Sequence, residues 1–125
     1  MALDIAIGDS LVWDLTLEYV GPAYNKAIIR LAIGQRILGV FDEIVYQETP
    51  VSMPATPVWT KYGIRLLMEI TDDLNEGDTY DIYAKMRKAP GGINIWSLDN
   101  AIKILQTSLS RFRNLDGSIS RRKKT

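Results

Sequence analysis

Residues 74–84, Leu-Asn-Glu-Gly-Asp-Thr-Tyr-Asp-Ile-Tyr-Ala, constrain the fold of this chain more than any other stretch. Leu74 is followed by Gly77 and then Tyr80 at equal spacing, and Tyr80 opens an alternating run. Tyr80, Ile82, Ala84 and Met86 share one side, and Asp81, Tyr83, Lys85 and Arg87 the other. A turn followed by period-2 alternation reads as a loop delivering the chain into a half-buried strand. A tyrosine at that corner is placed to return its hydroxyl to an upstream backbone group and pin the crossover between two sheets.

The rest of the chain alternates in the same way. Leu11, Trp13, Leu15, Leu17 and Tyr19 lie opposite Val12, Asp14, Thr16 and Glu18, which predicts one buried and one wet face. Val20-Gly21-Pro22 breaks this run. Lys26 to Ile33 reads as the next strand, Gly34 and Gly39 are expected to bracket a turn, and Val40 to Gln47 is a third, less regular run. Thr49 to Pro57 carries Pro50, Pro54 and Pro57 and is expected to be a loop or an edge segment, because proline lacks an amide donor. Tyr62 to Ile70 alternates again. Pro90-Gly91-Gly92 predicts a hairpin turn into Ile93 to Ser97, and Asp99 to Leu105 reads as the end of that strand after a bulge, in preference to one helical turn. With Leu3 to Ile7 as a short first strand, the count is seven.

The Leu74, Gly77, Tyr80 corner before the sixth strand resembles that of immunoglobulin-like and fibronectin type III domains. The resemblance implies an all-β, seven-stranded immunoglobulin-like antiparallel sandwich over residues 1–107, followed by an extended basic C-terminal arm over 108–125. Ile82 stands where an immunoglobulin has its second cysteine, so no inter-sheet disulfide is implied. Nor does the fold carry a function with it, since it hosts many.

Composition narrows the chemistry. The 125 residues include no cysteine and no histidine. That removes disulfides, thiolate ligands and cysteine nucleophiles, along with the side chain most used for proton transfer near neutral pH and for binding zinc, copper and iron. The expectation is a non-enzymatic protein without cofactor. The acidic turn Asp72, Asp73, Asn75, Glu76, Asp78 fails the EF-hand pattern: counted from Asp72, Gly77 falls at the glycine position, but Leu74 and Tyr83 occupy ligand positions. Short acids capping turn amides explain it better. The N-terminus has no basic flank, and no run approaches the roughly 18–20 apolar residues of a membrane span. Synthesis in the cytosol and no membrane partner are expected.

Charge separates the arm from the body. The chain has 15 basic and 15 acidic side chains. Residues 108–125 hold Arg111, Arg113, Arg121, Arg122, Lys123 and Lys124 against Asp116 alone, so the body carries the excess of acid. Leu109, Phe112, Leu115 and Ile119 are scattered apolar anchors, too few to order the arm by itself. Four adjacent charges at Arg121–Lys124 without interleaved aromatics would give only weak, salt-sensitive binding to nucleic acid, and the acidic body opposes it. The arm fits better on an acidic neighbour, with the apolar residues as pegs and Arg111, Arg113, Arg121 and Arg122 making charge-assisted bonds. The leading expectation is therefore a structural subunit of a homo-oligomer or larger protein assembly. Small sandwiches with arms look like virion components such as phage capsid decoration or tail proteins. The alternative is a carbohydrate- or protein-binding module presenting Pro54, Pro57, Trp59 and Trp96. Trp13, on the apolar face of its run, is expected in the core.

Overall fold

Every alternating run of the sequence forms a strand. The computed structural model describes residues 2–89, 95–105 and 116–122. The strands are β1 (Leu3–Ile5), β2 (Ser10–Gly21), β3 (Tyr24–Ile37), β4 (Val40–Met53), β5 (Thr56–Glu69), β6 (Thr79–Arg87) and β7 (Ile95–Ile104). They make a five-stranded sheet of order β1-β7-β6-β3-β4 and a two-stranded sheet of order β2-β5. The two sheets pack as an all-β sandwich, an arrangement compatible with an immunoglobulin-like fold. The pairing is antiparallel except at β1, which runs parallel to β7 and so corrects the fully antiparallel expectation. A three-residue strand joined to β7 through the whole domain has no hairpin to fix its direction.

The two sheets are joined by one long ribbon folded over on itself. β3 and β4 meet in a two-residue turn at Leu38-Gly39, both with positive φ (52° and 79°), where Ile37 pairs with Val40. From that turn the pairing runs down to Tyr24 opposite Met53, and it resumes beyond the fold with Gly21 opposite Thr56, ending at Ser10 opposite Glu69. Both strands therefore change sheet at the same level, one through Pro22-Ala23 and the other through Pro54-Ala55. Register irregularities lie on either side of the fold, between Tyr19 and Gly21 and between Tyr24 and Ala27. Such bulges let a strand turn a corner between sheets. Gly21 sits at φ 136°, the Tyr19 hydroxyl donates to the Pro22 carbonyl, and the Tyr24 hydroxyl donates to Lys88 O at 2.5 Å.

Two local expectations change accordingly. Gly34 and Gly39 do not bracket a turn: Gly34 lies within β3 at a bulge opposite Glu43, and the turn is Leu38-Gly39 alone. Of the two readings of Thr49 to Pro57, the edge one holds and the loop one does not: β4 continues through Pro50 to Met53 and β5 contains Pro57, with only Pro54-Ala55 between them. Both strands are sheet edges, where an outward-facing position tolerates the missing amide of proline. Residues 99–104 do continue β7, after a register shift opposite Asp81 at which Asn100 takes φ 51°, and the strand ends one residue short of Leu105. The expected turn at Pro90-Gly91-Gly92 and the strand start at Ile93 lie outside the described residues.

The core forms between the layers. Leu11, Trp13 and Met68 of the two-stranded sheet meet Ile29, Leu31, Ile33, Ile82, Ile102 and Ile104 of the five-stranded one. Asp81 ties the middle of the larger sheet together from its outer face. One carboxylate oxygen accepts the Arg36 amide of β3 and the other the Asn100 amide of β7, each at 2.7 Å, so both neighbouring irregularities close on a single side chain.

Candidate interaction surfaces

The corner is built as the sequence predicts. Leu74 and Tyr80 are each 1% exposed. The Tyr80 hydroxyl accepts the Asn75 amide at 2.8 Å. Gly77, at φ 87°, donates its amide to Ile104 O at 2.7 Å, and Ile104 donates back to Asp78 O at 3.0 Å. These bonds fasten the turn to the end of β7, and the three residues serve the fold.

A polar network missed by sequence reading covers the outer face of β3, β4 and β6. Alternation sets Tyr83 and Arg87 on the side of their strand opposite Tyr80, but only the strand register brings them to Arg30, Glu43 and Glu48. Arg30 donates from Nε to Glu43 at 3.2 Å and from Nη2 to the same carboxylate, and its Nη1 lies 3.4 Å from Glu48. Tyr83 donates to Glu43 at 2.8 Å, and Arg87 bonds Glu48. The Arg30 guanidinium lies 3.8 Å from the centre of the Tyr46 ring, and Phe41 meets Tyr83 edge-on at 4.7 Å. Ala32, paired across the sheet with Tyr46 and Tyr83, is fully buried beneath them.

Partial burial pushes the Glu43 carboxyl up, but the hydrogen bonds from Arg30 and Tyr83 outweigh it and hold the group below its ordinary value of 4.5. The Arg87 hydrogen bond holds Glu48 down as well. Burial, then the bond to Glu43, raises Tyr83 above 10.0. Both carboxylates are thus ionised and already hydrogen-bonded at neutral pH, the condition of groups that fasten an edge strand to its sheet.

The sign of the pH dependence follows. Carboxyls depressed in the folded state leave the unfolded chain binding more protons, so their contribution is present above 4.5 and is lost as pH falls through the lower folded values. Tyr83 acts oppositely: its contribution is present below 10.0 and is lost as pH rises through its raised value. Glu43→Gln is expected to cost about 1–3 kcal/mol at neutral pH, as removing one partner of a charged hydrogen bond does, and to flatten the acid limb. Urea denaturation of both proteins across the acid range checks this. Equal acid slopes would contradict it.

The remaining predicted residues scatter. Pro54 and Pro57 are exposed, at the fold-over and at the start of β5. Trp59 is 69% exposed on β5 beside Val58, while Trp96 is 48% exposed on β7, in the other sheet. Trp96 also meets the buried Trp13 edge-on at 6.3 Å, so it serves as much to flank the core as to face solvent. A cavity of about 300 Å³ opens between the layers at this flank, lined chiefly by Leu15, Leu17, Ile29, Met53, Met86 and Trp96. Of the arm, Ile119, Arg121 and Arg122 lie in a stretch, 116–122, without regular structure and exposed throughout, with the Ile119 side chain fully in solvent. Leu109, Arg111, Phe112, Arg113 and Leu115 lie outside the described residues.

Among the described residues no three acidic side chains gather as a metal site would require. Arg65 and Asp14 pair across β5 and β2 at 2.8 Å, both largely in solvent. No protein-family model matches the chain, and no curated protein or solved structure is significantly similar to it.

Proposed function

We propose that this protein is a non-enzymatic structural subunit of a multi-copy assembly, held together by exchange of its basic C-terminal arm, in the manner of a capsid decoration or tail component of a virus particle. One observation carries the reading: residues 116–122 are exposed throughout and without regular structure, with Ile119 bare, although the body of the chain is acidic. An isolated basic segment of this kind gains by lying on an acidic neighbour. Burying Leu109, Phe112, Leu115 and Ile119 there would contribute several kcal/mol at roughly 25 cal/mol per Å². Ordering the backbone offsets part of this, and repetition over many copies supplies avidity.

Sedimentation of the full chain and of a chain ending at residue 107 tests the reading. The full chain is expected to associate at low salt and less so at high salt, because exposed charges are screened within about 8–10 Å. The truncated chain is expected to remain monomeric. Monomers in both cases at high concentration would sink the proposal.

The exposure of Trp59 beside Val58 supports a second reading, a carbohydrate- or protein-binding module. Such a module would stay monomeric with or without the arm, and its tryptophan fluorescence would change on adding glycans.

A further inference from the structure

Four strands present an edge that no described strand covers: β1, β4, β5 and β2. Three of these are poor templates. β1 is three residues long, β4 contains Pro50, and β5 contains Pro57 and has its Leu67 carbonyl taken by the Gln47 side chain at 3.2 Å. Short strands, prolines and side-chain plugs are the devices that keep an edge from pairing. β2 has none of them: it runs twelve residues without proline.

The orientation of that edge follows from two hydrogen bonds. Ile70 donates to Asp9 O at 2.8 Å, next to the pair Ser10–Glu69, which makes that pair the wide type. Antiparallel pairs alternate, so the amides and carbonyls of Leu11, Trp13, Leu15 and Leu17 face β5. Those of Val12, Asp14, Thr16 and Glu18 face away from it. The side chains of these four stand on the outer face of the layer, where Val12 is half-exposed opposite Leu67, Asp14 pairs with Arg65, and Glu18 lies opposite Lys61. On this face the charged side chains of β2 are the acids Asp14 and Glu18, and β5 sets Arg65 and Lys61 opposite them, with Glu69 further along opposite Ser10.

We propose that the free edge of β2 is the docking site for the arm of a second copy, with residues 117–122 added as a third strand parallel to β2. This rests on the arm-exchange reading above and specifies where the arm goes. Parallel addition sets Ile119 beside Val12 and Arg121 beside Asp14, since both pairs are two residues apart. The apolar rung Leu67–Val12 is then extended by Ile119, and Asp14 lies between Arg65 and Arg121. An antiparallel arm that keeps Arg121 beside Asp14 puts Ile119 beside Thr16 and loses the apolar match.

Thr16→Pro tests this in the full chain. It deletes an amide that faces the free edge and not β5, so the sandwich is retained while strand addition is blocked. Association of the full chain is expected to be lost in Thr16→Pro as it is on truncation at 107. Amide exchange at Val12, Asp14, Thr16 and Glu18 is expected to be slower by at least ~10-fold in the full chain than in the truncated one, a comparison that does not depend on the proline variant folding. If truncation abolishes association but exchange at these four amides is the same in both chains, the arm docks elsewhere: arm exchange stands and this proposal falls. Association that survives truncation but not Thr16→Pro would mean that two β2 edges pair directly, which overturns it too. Protection of the four amides in a monomeric full chain would place the arm on its own sandwich, again overturning it.

Discussion

Gly34→Ala is expected to lower the stability of the chain severely. A Cβ at this position would lie 2.0 Å from the Asp42 carbonyl oxygen and 2.9 Å from both its carbon and the Phe41 ring. The first two are backbone atoms of the adjacent strand and have no rotamer by which to leave. β3 cannot retreat either, since Gly34 is paired on its other side with Asp81 of β6. Forcing one more carbon into a packed site costs about 1–3 kcal/mol when side chains yield, and more when backbone must. Against a net stability of about 5–15 kcal/mol for a domain of this kind, separating β3 from β4 at the bulge removes much of the margin. Gly63→Ala is the control, because nothing lies within 4 Å of its added carbon. Urea midpoints of the two variants should differ widely, with Gly63→Ala near the parent. Similar midpoints would mean that the bulge yields easily.

Tyr80→Ala should be nearly as damaging, by a different route. Its ring is among the largest fully buried side chains, so truncation leaves a cavity worth about 3–5 kcal/mol by analogy with other buried aromatics. It also strips the Asn75 amide of its acceptor, a further cost of about 1–3 kcal/mol where no water reaches it. Tyr80→Phe separates the two, since it keeps the ring and removes only the acceptor. The expected order is parent, Phe, Ala, with the larger step between Phe and Ala. A Phe variant as unstable as the Ala variant would show that the hydroxyl, not the ring, holds the corner.

These two residues mark how far the sequence alone could be read. Tyr80 was legible because its partners are local: the turn, the corner and the start of the alternation all fall within residues 74–84. The seven strands were legible for the same reason, since a half-buried strand writes its two faces into consecutive residues. Gly34 was misread as a turn residue because the need for it comes from Asp42 on the neighbouring strand. The parallel pairing of β1 with β7 and the cluster of Arg30, Glu43, Glu48, Tyr83 and Arg87 were invisible on the same grounds, being products of register between distant segments. The prolines misled in part. Pro50 and Pro57 signal an edge, and the alternation on either side did not reveal that the strands run through them. Of the proposed interface, the opposed charges of arm and body could be counted from the sequence. The edge of β2, which no described strand covers, could not, because an edge is defined by what pairs beside it.

The doubled-over ribbon bears on how the molecule reaches its native state. Pairing can start where Ile37 meets Val40, across a gap of two residues, and each later rung closes only a slightly larger loop than the one before. Contacts as remote as Ser10 with Glu69 are thereby reached by zipping and not by chance encounter. Only β6, β7 and the short β1 must find their places by diffusion, and they do so on a template already laid down. A sandwich is ordinarily slow to assemble because its contacts span long stretches of chain; here a single tight bend does much of the searching.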